Sequence, residues 1–307
     1  MIRWLVVGAG HAGKCHIAAI DQVIGAELVG VVDTNADIDA NAPIFDNLAT
    51  AIAETKPNAV IIATPNDTQL ALARVAIDAG LPVLCEKPVC NSFEDAKKLA
   101  LFSGQSKVPV GVVLNQRAQL HSRWIKGLVH SGVFRPEQAV FSANLPRLTG
   151  WHADPTRSGG GLLRTVGLHY IDLLIWWLGR PSLKYAKLSG SPQENKIDVA
   201  VEFSASCRAQ INITAVHEIG SGPVKCTLES KSACLEMHGH EIMSVDGLPE
   251  PPPLEPIGEG LFFGPGHQVV VEEATASLAQ SKGFPINVMD VFPALSLIEE
   301  IYAGGRS

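Results

Sequence analysis

The chain has 307 residues, 46% of them hydrophobic and 18% charged, which is enough to bury the cores of two domains. A formal net charge of −7 and the lack of any basic run disfavour nucleic acid or an anionic membrane as partner and favour a small molecule. No apolar stretch is long enough for a membrane span, the apolar start is too short for a signal peptide, and the six cysteines include no C-x-x-C pair. We therefore expect a reduced, cytoplasmic protein with no metal centre.

The first 115 residues alternate short β-branched segments with helical patterns. Helices are expected to begin near His11, Asn47, Asp67 and Ser92, with Asn66 or Asp67 and Ser92 as N-caps. Nearly continuous apolar strands that alternate with helices are typical of a parallel sheet covered on both faces. The sequence predicts an α/β fold with a doubly wound Rossmann domain over residues 1–115 and strands at 2–8, 26–33, 58–64, 81–86 and 108–114.

Residues 116–307 have a different pattern, which predicts a second, α+β domain for substrate binding and oligomerisation. Between 183 and 246 apolar and polar residues alternate with a period of two, which indicates a large open, mostly antiparallel sheet. The other expected elements are a helix near 120–131, a strand at 137–145, a proline-rich loop at 250–256, and helices near 267–281 and 290–303.

A glycine motif follows the first strand and opens the first helix. The stretch VVGAGHAG places Gly8, Gly10 and Gly13 in the spacing G-x-G-x-x-G. Such glycines allow a tight turn, close approach of the backbone to a pyrophosphate and close helix packing, while the helix N-terminus offers N–H donors. A purely structural turn is the alternative, but Asp33 ends the second strand, where a ribose-binding carboxylate is expected. The predicted dinucleotide site also includes the two residues between the later glycines, His11 and Ala12.

Asp33 also bears on the choice of cofactor. A carboxylate accepts hydrogen bonds from the ribose hydroxyls but repels a 2′-phosphate. Residues 33–55 contain no lysine or arginine to offset that repulsion, and several further acidic side chains lie among them. The sequence therefore predicts NAD rather than NADP.

The segment GGGLLRTVGLHYIDLLIWWLG at 159–179 is apolar enough to form a buried helix, yet it carries Thr165, His169 and Asp172. At 100° per residue, spacings of four and seven bring these three side chains onto nearly one face. A histidine titrates close to neutral pH and can serve as a general acid or base, although a satisfied core histidine is the alternative. The polar face is thus a candidate substrate-binding surface.

A third motif, LPVLCEKPV, ends a predicted strand with Glu86, Lys87 and Pro88, at the sheet edge where open α/β sheets bind ligands. Together with the glycine turn, the segment TPNDTQ at 64–69 and the later GGG and GLHYID, this resembles the Gfo/Idh/MocA family of glucose-fructose oxidoreductase, inositol dehydrogenase and rhizopine-catabolism proteins. The similarity in order and spacing covers essentially the whole chain, and the E-K-P tripeptide is its most specific part.

The resemblance implies an NAD-dependent enzyme that transfers a hydride between nicotinamide and the secondary alcohol or ketone of a sugar, a sugar derivative or a nucleotide-linked sugar. It implies that the nicotinamide lies at the domain junction beside the substrate, that Lys87 holds and polarises the substrate hydroxyl, and that His169 is the acid/base. It further implies a cis peptide bond before Pro88 and a homodimer or homotetramer formed through the C-terminal sheet. The additional cofactor-binding residues that it implies are Thr64, Pro65, Asn66, Glu86 and Lys87.

The chain departs from the family pattern at Thr165. Polyol-oxidising members commonly carry an aspartate four residues before the histidine, whereas nucleotide-sugar 3-dehydrogenases tend to carry an asparagine there. Threonine can hydrogen-bond a ligand or the imidazole but has no charge. The segment GWHADPTRSGGG makes the nucleotide-sugar subgroup the more similar one. Asp172 has two open interpretations, as the residue that orients the His169 ring or as part of a buried hydrogen-bond network.

Other polar residues bear on the substrate more weakly. Asn115 and Arg117 follow the last Rossmann strand and are predicted to bind substrate, with a structural junction as the alternative. Arg147, Arg157 and Arg164, in or beside the loop before the histidine helix, are expected to be ordinary surface charges, with binding of a carboxylate or pyrophosphate group as the alternative. Trp151 and His152 could stack on a sugar or base or simply pack the loop, and HGHE at 238–241 is expected in a turn between two strands rather than at a metal.

Two other functions fit the same residues. The first is a regulator that binds NAD and a sugar without catalysis, which the uncharged Thr165 suggests. The second is a reductase of a non-sugar carbonyl, imine or diol within the same family. Lys87 and His169 favour an enzyme, because a pure sensor needs neither of them.

Overall fold

The computed structural model describes residues 1–35, 37–191, 193–203, 207–216, 224–254 and 265–305. The strands are β1 (Ile2–Val7), β2 (Ala26–Val32), β3 (Ile44–Phe45), β4 (Ala59–Ile62), β5 (Val83–Glu86), β6 (Val110–Val113), β7 (Gln138–Pro146), β8 (Pro181–Ser189), β9 (Lys196–Phe203), β10 (Arg208–Val216), β11 (Lys225–Glu229), β12 (Cys234–His238) and β13 (Glu241–Asp246). The helices are α1 (His11–Gln22), α2 (Leu48–Thr55), α3 (Asn66–Asp78), α4 (Phe93–Ser106), α5 (Asn115–Ala118), α6 (Leu120–His130), α7 (Pro155–Ser158), α8 (Leu168–Leu178), α9 (Gly266–Ala279) and α10 (Phe292–Gly305).

Contacts divide the chain into two compact units. The first unit contains Met1–Ala118 and Pro256–Phe292, and the second contains Gln119–Glu255 and Pro293–Ser307. Helix α9 belongs to the first unit because its Val270, Val271 and Ala274 pack into the same core as Trp4 and Val6 of β1. The predicted division into domains 1–115 and 116–307 stays a prediction.

The first unit is built on a parallel six-stranded sheet in the order β3-β2-β1-β4-β5-β6. Its central strands are buried along their whole length, as expected for a sheet covered on both faces. The strand order reverses between β1 and β4, the point at which doubly wound folds bind ligands. The doubly wound Rossmann architecture is thus confirmed, and the two-residue β3 is an edge strand that the sequence pattern did not reveal.

Two helix starts in the first unit were assigned caps from the sequence. Ser92 caps α4, and its hydroxyl accepts a hydrogen bond from the Asp95 N–H. The cap expected at Asn66 or Asp67 is wrong, because α3 already begins at Asn66 and its N-cap is Pro65, which has no capping side chain. Asn66 is buried instead.

The second unit is built on a seven-stranded sheet in the order β13-β12-β11-β7-β10-β9-β8. All neighbouring strands are antiparallel except β7 and β10, which pair in parallel. Strand β10 presents Ala209, Ile211 and Ile213 to the core, while Arg208 and Gln210 are exposed, so the predicted alternation is confirmed. The mostly antiparallel second sheet is therefore confirmed as well.

The apolar segment at 159–179 is not one regular helix. A π-helical turn spans Leu163–Gly167 and continues directly into α8. A π turn holds more residues than an α turn, so the rotation of 100° per residue assumed for Thr165 and His169 does not apply across it. The three polar residues accordingly differ in burial, since Thr165 and Asp172 are buried and His169 is half-buried.

The remaining helices and cysteines agree with the sequence pattern. Helices α6, α9 and α10 form where they were expected, and the described part of the proline-rich loop, 250–254, has neither helix nor strand. The rest of that loop lies outside the described residues. All six cysteines are free thiols, and five of them are buried. Among the described residues, no helix has both the length and the apolar character needed to cross a bilayer.

Candidate active site

The carboxyl edge of the parallel sheet brings together the predicted cofactor-binding residues of the first unit. Strand β1 leads into the glycine turn, β2 into Asp33, β4 into Thr64, β5 into Lys87 and β6 into Asn115. Residues that lie far apart in the sequence meet there because parallel strands end on the same side.

The glycine turn has three positions with different steric demands. Gly8 has a φ of +88°, and a Cβ there would lie 2.6 Å from the Ala63 carbonyl oxygen. A Cβ on Gly13 would lie 1.9 Å from the Gly8 carbonyl oxygen, so helix α1 can pack against the turn only without a side chain. A Cβ on Gly10 would meet nothing within 4 Å, which leaves that backbone open to a ligand. The glycine turn therefore fits a dinucleotide pyrophosphate at the N-terminus of α1.

Asp33 is fixed beside this turn. Its Oδ2 accepts a hydrogen bond from the Ala9 N–H at 2.7 Å, and its Oδ1 accepts one from the Asn35 N–H at 2.9 Å. The carboxylate is half-buried, so its remaining acceptor positions can receive hydroxyl hydrogens. This geometry fits the ribose of NAD.

Thr64, Pro65 and Asn66 connect β4 to α3 on the same edge. The Thr68 hydroxyl donates to the Thr64 hydroxyl oxygen and lies near the Pro65 carbonyl, while Gln69 donates to the Thr64 carbonyl oxygen. Side chains of α3 thus fix the turn that precedes this helix. Its role in cofactor binding stays a prediction.

Glu86 is the centre of a buried hydrogen-bond network below Lys87. Its Oε1 accepts from His16 Nε2 at 2.8 Å and lies 3.3 Å from His267 Nε2, and its Oε2 accepts from the Lys87 N–H at 3.0 Å. Asn115 Nδ2 lies 3.5 Å from His267 Nδ1, so an asparagine amide that donates there leaves His267 Nε2 as a donor to Glu86. Helices α1 and α9 therefore each bring a histidine to the carboxylate at the end of β5, and Asn115 of α5 contacts one of these histidines.

The electrostatics of this network favour an anionic Glu86 and a neutral His16. Burial opposes the ionised form of Glu86, but hydrogen bonds from His16 and His267 outweigh burial and hold the pKa of the carboxyl below its usual value. Burial lowers the pKa of His16, with partial compensation from Glu86. Burial also lowers the pKa of Lys87, and the Glu86 charge acts in the opposite direction. Glu86 thus helps to keep the half-buried Lys87 protonated.

His16 and His267 were missed in the sequence. His16 follows Gly13 by three residues, and the helical pattern places it on the buried side of α1. His267 lies 181 residues beyond Glu86, so no local pattern links the two. The three side chains have the spacing of a metal site, with ligand atoms within 4.8 Å of one another, but hydrogen bonds already account for the arrangement. The absence of a metal stays a prediction.

Asn115 and Arg117 have internal partners in the first unit. Asn115 is buried against His267, and Arg117 Nη2 donates to the Asp290 carbonyl oxygen at 3.2 Å. The peptide bond between Lys87 and Pro88 is cis, as the resemblance implied. The role of Asn115 and Arg117 in substrate binding stays a prediction.

The second unit holds the other predicted site residues on the helical segment 162–178. Thr165 lies in the π turn, and its hydroxyl donates to the Gly161 carbonyl oxygen at 2.8 Å. The single hydroxyl hydrogen of Thr165 is therefore engaged within its own segment. His169 and Asp172 follow on α8, whose apolar side packs Tyr170 and Trp177 against Phe141 of β7. The structure thus gives His169 a rigid, buried support.

Arg164 is not a surface charge, contrary to the sequence-based expectation. It lies in the π turn with an exposed fraction of 1%, and its guanidinium pairs with Glu299 of α10. The π turn directs this side chain into the unit instead of toward solvent. Arg147 is exposed and Arg157 is half-buried.

The remaining candidates lie near the surface. The rings of Trp151 and His152 stack on each other with centroids 3.7 Å apart. His238 ends β12 and is bonded to Glu236, and residues 239–240 form the turn to β13, as expected. These contacts do not indicate a binding or catalytic role for Trp151 and His152 or for residues 238–241.

Comparison with known proteins decides the family. Residues 2–113 match the family model described as oxidoreductase family, NAD-binding Rossmann fold, and residues 129–240 match the GFO/IDH/MocA C-terminal domain. Together the two matches span more than two thirds of the chain. The chain belongs to the Gfo/Idh/MocA oxidoreductases.

Curated members of the Gfo/Idh/MocA family show distant similarity. The 1,5-anhydro-D-fructose reductase of Ensifer adhaerens is 25% identical over 226 residues, which cover 70% of this chain and 68% of that protein. The D-glucoside 3-dehydrogenase of Escherichia coli (strain K12) is 26% identical over 195 residues, which cover 60% of this chain and only 56% of that protein.

A solved structure extends the fold comparison to the full chain. The WlbA dehydrogenase of Bordetella pertussis, in complex with NADH and UDP-GlcNAcA, superposes with a TM-score of 0.83 at 24% identity and covers 100% of this chain and 97% of that one. The family, the fold class, the oxidoreductase class and the NAD cofactor expected from the sequence are thereby confirmed.

Proposed function

We propose that this Gfo/Idh/MocA oxidoreductase interconverts a secondary alcohol and a ketone on a sugar, a sugar derivative or a nucleotide-linked sugar. The observation that carries the proposal is Lys87, a half-buried lysine at the ligand-binding edge of an NAD-binding sheet, whose backbone N–H donates to Glu86 and whose protonated form the Glu86 charge favours. The reductase and 3-dehydrogenase names of its relatives, and the UDP-GlcNAcA complex of its structural neighbour, support the sugar class.

The residues of the carboxyl edge fit NAD. The open backbone at Gly10 and the N-terminus of α1 would hold the pyrophosphate, and Asp33 would accept hydrogen bonds from the adenosine ribose. When bound, NAD takes up a hydride from the alcohol carbon or returns it to the ketone. Asp33 and the acidic residues that follow it would repel a 2′-phosphate, which favours NAD over NADP.

Lys87 and His169 divide the remaining chemistry. Loss of a hydride from an alcohol carbon requires that the hydroxyl proton leave as well, so negative charge develops on the oxygen. The Lys87 ammonium would bind that oxygen and stabilise the charge. His169 would accept the proton in oxidation and return it in reduction. Thr165 and Asp172 would bind the substrate or orient the imidazole.

The test is reduction of NAD by the purified protein. Near-ultraviolet absorbance is followed with NAD and separately with NADP, across UDP-linked sugars, sugar acids, inositols and free hexoses, with NADH and the matching keto sugars for the reverse direction. We expect NADH to form with one substrate group and with little or no NADP turnover. Tight NAD binding without turnover in either direction with any group would contradict the proposal and support the non-catalytic regulator.

We also propose that the protein is a homodimer or homotetramer that associates through the seven-stranded sheet. The support is the outward exposure of large apolar side chains on that sheet, among them Val140, Tyr185 and Met243, which are 38%, 47% and 55% exposed. Light scattering coupled to size exclusion measures the mass in solution. A monomer at micromolar concentration would contradict this assembly.

A further inference from the structure

The segment that leads to His169 is held by a carboxylate from elsewhere in the chain. Glu194 lies between β8 and β9 and is 9% exposed. Its Oε1 accepts from the Gly161 N–H and from the Leu163 N–H, each at 3.0 Å. Gly161 directly precedes the helical segment 162–178 and Leu163 lies in its first turn, where backbone N–H donors have no partner within the helix. Glu194 therefore supplies the N-cap that Gly161, without a side chain, cannot provide.

Tyr302 of α10 completes the cap. Its hydroxyl donates to Glu194 Oε1 at 2.8 Å and also lies 3.3 Å from the Gly161 nitrogen. Burial is the main cause that raises the pKa of Tyr302, and the Glu194 carboxylate adds to it, so the phenol stays protonated and donating. Three donors thus converge on one carboxylate oxygen.

The neighbouring Gln193 holds the preceding loop. Its Nε2 lies 2.9 Å from the His152 carbonyl oxygen, 3.0 Å from the Ser158 hydroxyl oxygen and 2.8 Å from the Gly160 carbonyl oxygen. Consecutive side chains, Gln193 and Glu194, therefore fix the loop and the helix start together.

Steric contacts explain two glycines of the run at 159–161. A Cβ on Gly160 would lie 2.3 Å from the Tyr302 hydroxyl oxygen. A Cβ on Gly161 would lie between 2.6 and 2.8 Å from the carboxylate atoms of Glu194. Both distances are far inside van der Waals contact, so these positions need glycine because Tyr302 and Glu194 come so close.

The charge of Glu194 suits its place at the N-terminus of the helical segment 162–178. A carboxylate at a helix N-terminus interacts favourably with the partial positive charge of the free N–H groups. His169 follows Leu163 by six residues, and the π turn lies between them. Any shift of the first turn is therefore transmitted along a short, buried segment to the imidazole.

We propose that Glu194, fixed by Tyr302, is a positioning residue that sets the placement of His169. This inference rests on the proposed function for its effect on turnover, because His169 is there the group that moves the proton. It assigns no contact of Glu194 with substrate or cofactor.

The test compares variants of the full-length protein. Glu194→Ala removes the cap, Glu194→Gln keeps an acceptor oxygen, and Tyr302→Phe removes one donor. Glu202→Ala, a half-buried glutamate of β9 that pairs with Lys184 and Arg208, is the matched control. The readouts are kcat, KM, affinity for NADH, melting temperature and the imidazole NMR signal of His169, assigned by its loss in His169→Gln.

We expect Glu194→Ala to lower kcat about 10- to 100-fold, because a displacement of about 1 Å at a reacting group has effects of that size. Glu194→Gln should recover most of the activity, NADH affinity should stay unchanged, and the His169 signal should shift in Glu194→Ala but not in Glu202→Ala. Where Glu194→Ala does not fold, Tyr302→Phe serves as the milder variant and should produce the same shift with a smaller loss of kcat.

The close contact at Gly161 adds an independent test. Gly161→Ala should lower kcat by itself, but it should have little further effect in a Glu194→Ala background, since the atoms that it meets are gone. Additive losses would contradict the assigned contact.

The outcomes separate this inference from the proposed function. A shifted His169 signal in a protein that turns over no sugar would overturn the proposed function and keep the positioning role. An active enzyme whose Glu194→Ala variant keeps kcat and the His169 signal, with only a lower melting temperature, would overturn the positioning role.

Discussion

Glu86 in the first unit and Glu194 in the second are both buried carboxylates that receive three donors, yet their donors differ in kind. Glu86 receives two imidazoles and the Lys87 backbone N–H, and its charge raises the pKa of Lys87. Glu194 receives two backbone N–H groups and a phenol. The first set includes imidazoles, a side-chain type that can carry or lack a proton in the physiological pH range, whereas the second set includes none.

This difference assigns different tasks to the two carboxylates. Around Glu86, protonation and charge decide the state of Lys87, so this region should respond to pH and to isosteric changes of charge. Around Glu194, hydrogen-bond geometry decides where the helix begins, so this region should respond to loss of an acceptor and to added volume at the glycines.

Within the first unit, the largest effect is expected from Lys87→Met. Removing the ammonium should lower kcat about 10²- to 10³-fold, the size seen when one stabilising donor to a developing oxyanion is lost. Steady-state kinetics, with the substrate group found by absorbance, measure this loss of kcat. Lys98→Met, at an exposed lysine that pairs with Asp95, is the control. A loss of less than threefold would remove Lys87 from the reaction.

The next effect concerns the glycine turn. Gly13→Ala should destabilise the first unit by about 3 kcal/mol, because its Cβ would collide with the Gly8 carbonyl oxygen. Gly10→Ala should leave the melting temperature unchanged and weaken NADH binding, because its Cβ enters open space that a pyrophosphate would approach. Equal NADH affinity in Gly10→Ala and wild type would contradict the assigned phosphate position.

Glu86→Gln tests whether the Glu86 charge controls the pKa of Lys87. The Glu86 charge raises the pKa of Lys87 against burial, so its removal should let that pKa fall further. Lys87 then loses its proton at lower pH, and the alkaline limb of the pH profile of kcat/KM should move to lower pH. Glu94→Gln, at an exposed pair with Lys97, should leave the limb in place. An unmoved limb in Glu86→Gln would show that the charge does not control Lys87.

The smallest effect is on stability at mildly acidic pH. Burial depresses the pKa of His16 in the folded protein, so below about pH 6.5 the unfolded chain binds a proton that the folded protein does not. Stability should therefore fall as the pH drops from 7 to 5, by at most about 1.4 kcal/mol per pH unit from this residue. The depressed pKa of Glu86 acts in the same direction at still lower pH, since its stabilisation is present above the unfolded value and lost below it.

Denaturant unfolding at several pH values measures the slope of the free energy of unfolding against pH. His16→Gln should flatten it relative to wild type, and His130→Gln at the exposed end of α6 should not. An unchanged slope in His16→Gln would argue that the imidazole is not held neutral.

The sequence predicts the glycine turn, Asp33 and the E-K-P motif because each depends on neighbouring residues or on the order of strands. The parallel sheet follows from apolar periodicity for the same reason. His267, Glu194 and Tyr302 escape such reasoning, because their partners lie more than thirty residues away and no local pattern joins them. The π turn also escapes it, since an assumed 100° per residue cannot reveal a local change of winding.

Arg164 was expected to be exposed like the other arginines in or beside the loop before the histidine helix, but it is buried. It was grouped with Arg147 and Arg157 of the preceding loop, yet it follows Leu162 and Leu163, and the π turn buries it against Glu299. Burial of a charge depends on its partner, and that partner lies on the last helix of the chain.

The claim that His169 moves the proton is tested by single-turnover reduction of NAD by His169→Ala, alongside wild type, with the substrate group that wild type uses. NADH affinity and melting temperature are measured on the same samples. We expect the rate of hydride transfer to fall by about 10²- to 10⁴-fold, the usual contribution of a general acid or base, while NADH binding stays unchanged. Near-normal transfer by a folded His169→Ala protein would contradict the claim.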